Sequence, residues 1–120
     1  GKYNNGTFPE GARFSYYMLH GQERQKKMAS RFINDRTLAV VDRVQAIAQE
    51  IGMNPITLAT AWTKQHDFVA STIIGASHVD QLNETLAAGN VELDSETMAL
   101  LDQIETDIPN AMPEDGLRRL

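Results

Sequence analysis

FVASTIIGASHVDQLNETLAA, residues 68 to 88, decides the fold of this 120-residue chain. Val69 to Ile74 is a short, uncharged run of β-branched and apolar residues closed by a glycine, and it predicts a buried strand over 68–74. Gly75-Ala76-Ser77 follows at once. Gly75 lets backbone approach a ligand closely, and Ser77 with Asp80 three residues on has the spacing of a helix capping box. The expectation is therefore a strand running into a helix over 77–89. At such a junction free amide N–H groups and the positive end of the helix dipole favour an anion, most naturally a phosphate. Gln81 and Glu84 lie one and two turns along, close enough in phase to offer hydrogen bonds above that phosphate. The arrangement suits a nucleotide. A glycine turn and a capping serine without any ligand is the alternative.

The run Ile74-Gly75-Ala76-Ser77 followed by Gln81-Leu82 and Glu84 resembles the last strand and following helix of the aldo-keto reductases, in the branch that includes the potassium-channel β subunits. Gly1-Lys2-Tyr3 and Pro9-Glu10-Gly11-Ala12-Arg13 are similar to the long loop after the seventh barrel strand of the same family. The resemblance implies NADP as cofactor. It assigns the 2′-phosphate and ribose to the Gly75–Ser77 turn and its helix, the pyrophosphate to Lys2, and the 2′-phosphate and adenine to Arg13. A guanidinium is suited to that role, since it bonds phosphate as a fork and stacks on an aromatic base. From composition alone, Lys2 and Arg13 read as surface charges. The family pattern ends Glu-Asn where this chain has Glu84-Thr85, which weakens one adenine contact that the resemblance implies and leaves the others. The cofactor residues implied are Lys2, Arg13, Gly75, Ser77, Gln81, Glu84 and Thr85.

The implied fold class is α/β: the C-terminal portion of a (β/α)8 barrel, mostly helical with one short strand. A whole barrel needs roughly 250 residues, so this chain is too short to close one. Along the single unit 1–120, residues 1–20 lack a helical period and read as a cofactor-side loop. Residues 21–67 read as helices. In the second of these, Leu38, Val41, Val44, Ile47, Ala48 and Ile51 make an apolar stripe, with Asp35 as N-cap and Gly52 as stop. Asn54-Pro55 starts the next, with Trp62 in the core. Asp94 caps a last helix over 94–108, ended by Pro109, and 109–120 reads as a mobile tail.

A net charge of −5 argues against a nucleic-acid surface, and Arg24 to Arg31 reads as a solvated helix face. There is no cysteine, hence no disulfide and no Cys-ligated metal. No run approaches roughly 18 apolar residues, so no membrane span is expected, and the localisation read from this is cytoplasmic. His20, His66 and His78 lack metal-ligand spacing; His78 falls in the first turn of the cofactor helix and reads as a surface residue. The family's catalytic tyrosine, lysine, aspartate and histidine come from a part of the barrel that this chain does not contain, so none of Tyr3, Tyr16 and Tyr17 is assigned to catalysis. Three readings stand. The chain is a cofactor-binding portion of an NADPH-dependent reductase of carbonyl compounds, inactive alone and prone to self-associate; a non-enzymatic module binding a nucleotide or a protein; or a helical scaffold.

Overall fold

A computed structural model describes residues 1–112. Among these, six α-helices account for most of the chain: α1 (Arg13–His20), α2 (Glu23–Phe32), α3 (Asp35–Glu50), α4 (Pro55–Gln65), α5 (Leu82–Ala87) and α6 (Ser95–Asp107). Instead of one unit, the chain divides into two compact units. The first is Gly1–Asp42 with the chain from Asp107 on, and the second is Arg43–Thr106.

In the first unit the loop expected over 1–20 gives way to helix from Arg13. The reason is aromatic packing that periodicity alone does not reveal. Phe14 and Tyr17 are three apart and share a helix face, with ring centroids 6.2 Å apart. Phe14 stacks on Phe32 of α2 at 4.9 Å and 14°. Tyr3 joins from the other side, its ring 6.0 Å from Phe14 and its hydroxyl accepting the Phe14 N–H at 3.2 Å. Gly21 permits the tight passage into α2, because a β-carbon there would stand 2.3 Å from the Tyr17 carbonyl oxygen. Gln22 and Gln25 then close a reciprocal capping box. Arg24, Lys26 and Lys27 are exposed along α2, with Lys27 3.3 Å from Glu23 one turn back.

The cap of α3 is Asn34, not Asp35. The Asn34 side-chain oxygen accepts from the N–H groups of Arg36 (3.0 Å) and Thr37 (3.1 Å), and the Thr37 hydroxyl oxygen accepts the Asn34 N–H in return. Asn one residue earlier reaches those donors because it sits outside the helix, whereas Asp35 is already in its first turn.

In the second unit α3 ends at Gly52, whose φ of +67° lets Gly52 N–H reach Gln49 and Met53 N–H reach Ala48 (2.8 Å). Asn54 caps α4 through the Ile56 N–H at 2.8 Å, with Pro55 in the first helical position. Leu58 and Ala61 are fully buried, and Ala48, Ala88, Leu93, Leu101 and Ile104 complete the core. Trp62 is half-buried, not core. Its indole N–H donates to Asp102 of α6 at 2.9 Å, which fixes the polar edge near solvent. Asp94 caps α6 by accepting the Thr97 N–H at 2.7 Å.

The strand expected over 68–74 does not form a ladder, and no strand occurs among the described residues. Residues 69–76 lack regular structure, Phe68 is 85% and Ile73 97% exposed. A helix satisfies its backbone internally, but a strand needs a neighbour, and nothing among the described residues supplies one. Of the tail expected over 109–120, positions 113 onward lie outside the described residues.

Candidate functional site

The seven residues singled out above divide between the units: Lys2 and Arg13 in the first, the other five in the second. In the first unit the Tyr3–Phe14 contact brings the neighbouring Lys2 and Arg13 to one end of the aromatic stack. Both cations are exposed. The Arg13 guanidinium lies 5.5 Å from the ring centroids of both Phe14 and Tyr17, so its plane is held by cation–π contact and its outer edge stays in water. Arg13 also borders a groove of about 700 Å³ with Phe8, Tyr16, Leu19 and His20. Buried Ser15 sits at the same groove, its hydroxyl oxygen without a hydrogen-bond partner among the described residues.

In the second unit the expected helix over 77–89 is built in three pieces: a 3-10 turn (Val79–Gln81), α5, and a second 3-10 turn (Ala88–Asn90). His78 precedes the first turn in extended conformation and is not part of the helix. The capping also runs the other way. No side chain caps the first turn from its N-terminal end; instead the Gln81 side-chain oxygen accepts the Ser77 N–H at 2.9 Å. Gln is one methylene longer than Asp and reaches back one residue further, which displaces the Ser77–Asp80 box.

Gly75 does not have positive φ, and a β-carbon there would meet no protein atom within 4 Å. Neither backbone strain nor neighbouring protein therefore requires glycine, and the space in front of its backbone is open to a ligand. Ser77 is exposed. The turn is open to a ligand, and the exposed Ser77 offers it a hydroxyl, while the Ser77 N–H is already bonded to Gln81.

Glu84 is less free than its sequence position suggests. It is half-buried, and Thr57 of α4 hydrogen-bonds both its carbonyl oxygen (2.8 Å) and its carboxylate (3.3 Å). Thr85 turns its hydroxyl onto its own helix at the Gln81 carbonyl, 3.2 Å away. Two residues that frame this region escaped the sequence reading. One is Thr57, and the other is Gln65, whose side-chain amide pairs both ways with the Leu93 backbone, donating at 2.6 Å and accepting at 2.7 Å. Both lie far in sequence from their partners, and a polar residue on a helix carries no local signal of such a bond.

Asp94, at the start of α6, has its carboxyl held below the usual range, chiefly by the Thr97 N–H and then by the Thr97 hydroxyl. No group of three or more metal-ligating side chains is found among the described residues, and no helix there is long and apolar enough to cross a membrane.

The chain is similar to a probable voltage-gated potassium channel subunit beta of Arabidopsis thaliana, 35% identical over 105 residues, covering 88% of this chain and 30% of the relative. A putative subunit of the same kind from Schizosaccharomyces pombe is 36% identical over 107 residues, covering 88% and 29%. Protein tas of Escherichia coli K12 is 30% identical over 107 residues, covering 87% and 28%. The chain thus spans somewhat under a third of the length of these curated relatives. The sequence profile of the aldo/keto reductase family matches residues 4–106, from the N-terminal aromatic turn to the end of the second unit, and this chain belongs to that family.

Proposed function

We propose that this chain is the C-terminal, cofactor-holding portion of an NADPH-dependent aldo-keto reductase that reduces carbonyl compounds in the cytoplasm. The observation that carries this is the family match over residues 4–106, which contains every residue of the candidate site except Lys2. In this reading the second unit takes a phosphate-bearing ribose at Ser77 and the ribose and base at Gln81 and Glu84, with open Gly75 letting the backbone come close, and in the first unit Lys2 and Arg13 are cations assigned to cofactor phosphates. The bound cofactor supplies the hydride. The residues of this chain bind and orient it, and the acid that protonates the carbonyl oxygen comes from outside the chain.

The exposure of Arg13 and the open face of Gly75 support the reading. The uncharged, apolar run at 69–74, which joins no strand among the described residues, supports a place inside a (β/α)8 barrel, where strands would flank it on both sides. Without such strands an uncharged extended run invites another copy, so the isolated chain is expected to self-associate and to show no carbonyl reduction.

The test is cofactor choice in the complete protein. NADPH should bind more tightly than NADH, and Arg13→Ala should weaken NADPH by about 1.5–3 kcal/mol, the scale of a charge-assisted hydrogen bond. Dissociation constants from NADPH fluorescence would measure both. Equal affinity for the two cofactors would sink the assignment.

A further inference from the structure

We propose that Thr57 is a positioning residue for Glu84, locking its carboxylate from the neighbouring helix so that it can receive an N–H donor of the bound nucleotide. The inference rests on the nucleotide reading of Glu84 given above and adds a residue that the turn itself does not contain.

The geometry comes from a departure within α4. A threonine hydroxyl in a helix commonly bonds back to the carbonyl one turn earlier. Thr60 does so to Ile56 (2.8 Å) and Thr63 to Ala59 (2.9 Å), and in α5 Thr85 does so to Gln81 (3.2 Å). Thr57 does not. Its hydroxyl leaves its own helix and crosses to α5, where it meets the Glu84 carbonyl at 2.8 Å and the Glu84 carboxylate at 3.3 Å. Thr57 is 5% exposed, so water does not compete for that proton. The single proton goes chiefly to the carbonyl at 2.8 Å, and the carboxylate at 3.3 Å is the weaker second acceptor, so main chain and side chain of one residue both face the same hydroxyl. The β-branched side chain has few rotamers in a helix, which fixes the direction of the bond.

Glu84 has reason to need holding. It is half-buried and has no ion-pair partner among the described residues. A carboxylate accepts hydrogen bonds only, so a half-buried one with a single hydroxyl donor retains capacity for a further N–H. The exocyclic amine of a nucleobase is a donor of that kind. α5 is six residues long and weakly determined by itself, so a side chain placed on it depends on an anchor from outside.

The test is a double-mutant cycle in the complete protein, reading NADPH affinity and urea stability in parallel. Glu84→Ala should weaken NADPH about tenfold and Thr57→Val about fivefold, the scale of one hydrogen bond to a charged group and one to its support. In the Glu84→Ala background, Thr57→Val should then weaken NADPH by less than about twofold, because no carboxylate remains to be positioned. Thr57→Ser keeps the hydroxyl and should hold affinity within about twofold of the parent. Should Thr57→Val not fold, Thr57→Ala in the same cycle gives the same reading. Additive losses, or failure of Thr57→Ser to retain binding, would make Thr57 a mere packing residue and overturn the proposal. If Glu84→Ala leaves NADPH affinity unchanged, the nucleotide reading of Glu84 is wrong and this inference goes with it; if Glu84→Ala weakens binding and Thr57→Val does not, only the inference is lost.

Discussion

Gln65 and Phe68 are three residues apart, yet they belong to opposite kinds of structure. Gln65 ends α4 with a side chain that mimics a backbone strand, giving Leu93 both a donor and an acceptor. Phe68 leads into a run without regular structure whose backbone makes no ladder and whose first N–H, at Val69, turns back to the His66 carbonyl (2.9 Å); the Phe68 ring is left stacked on His66 with most of its surface in water. The difference teaches where hydrogen-bonding capacity in this chain is met from within. Helices meet it locally and the part-buried Gln65 amide meets it across 28 residues of this chain, while the run at 69–74 needs chain from elsewhere.

The sharpest way to break that comparison is to remove comparable apolar groups from both regions. Leu58→Ala, at a fully buried position, should cost about 2–5 kcal/mol in urea unfolding. Ile73→Ala, at a position 97% exposed, should stay within about 0.5 kcal/mol while reducing any concentration-dependent association seen by sedimentation. Comparable losses of stability at the two positions would mean that the extended run packs against this chain after all.

A smaller effect is expected from the clamp. Gln65→Leu keeps the side chain's bulk but strands the Leu93 N–H and carbonyl, at about 1–3 kcal/mol. Unchanged stability would show that water can replace the amide and that the clamp is ornamental.

The smallest effect belongs to Asp94, an exposed cap. Its folded carboxyl titrates below the ordinary value, so the negative form is favoured by folding. That contribution is complete above pH about 4, the unfolded value, and is lost as the pH falls through the lowered folded value. Asp94→Asn retains a capping oxygen and removes the charge, so parent and variant should converge in stability as the pH drops from neutral to strongly acid. A gap that persists unchanged to the lowest pH would rule out the charge as its source.

Much of the helical frame was legible because its signals are local. Gly52 and Asn54-Pro55 announce an end and a beginning regardless of what packs around them, since φ preference and capping act within a few residues. α1 was not legible: its helix depends on Phe14 meeting Phe32 and Tyr3, contacts set by the fold. In the candidate site, the types and spacing of Gly75, Ser77, Gln81 and Glu84 were there to read. Which of them is free and which is engaged was not, because Gln81 turned back to Ser77 and Glu84 was claimed by a threonine 27 residues away.

By itself, then, the sequence determined the family, the helix punctuation and the residue types at the turn, all of which depend on identity and short-range spacing. Only the tertiary structure decided that 69–74 stays unpaired, that aromatic stacking makes a helix of Arg13–His20, and that Thr57 holds Glu84. Strand pairing, ring stacking and cross-helix hydrogen bonds join residues distant along the chain, and their energies exist only once the fold has brought the partners together.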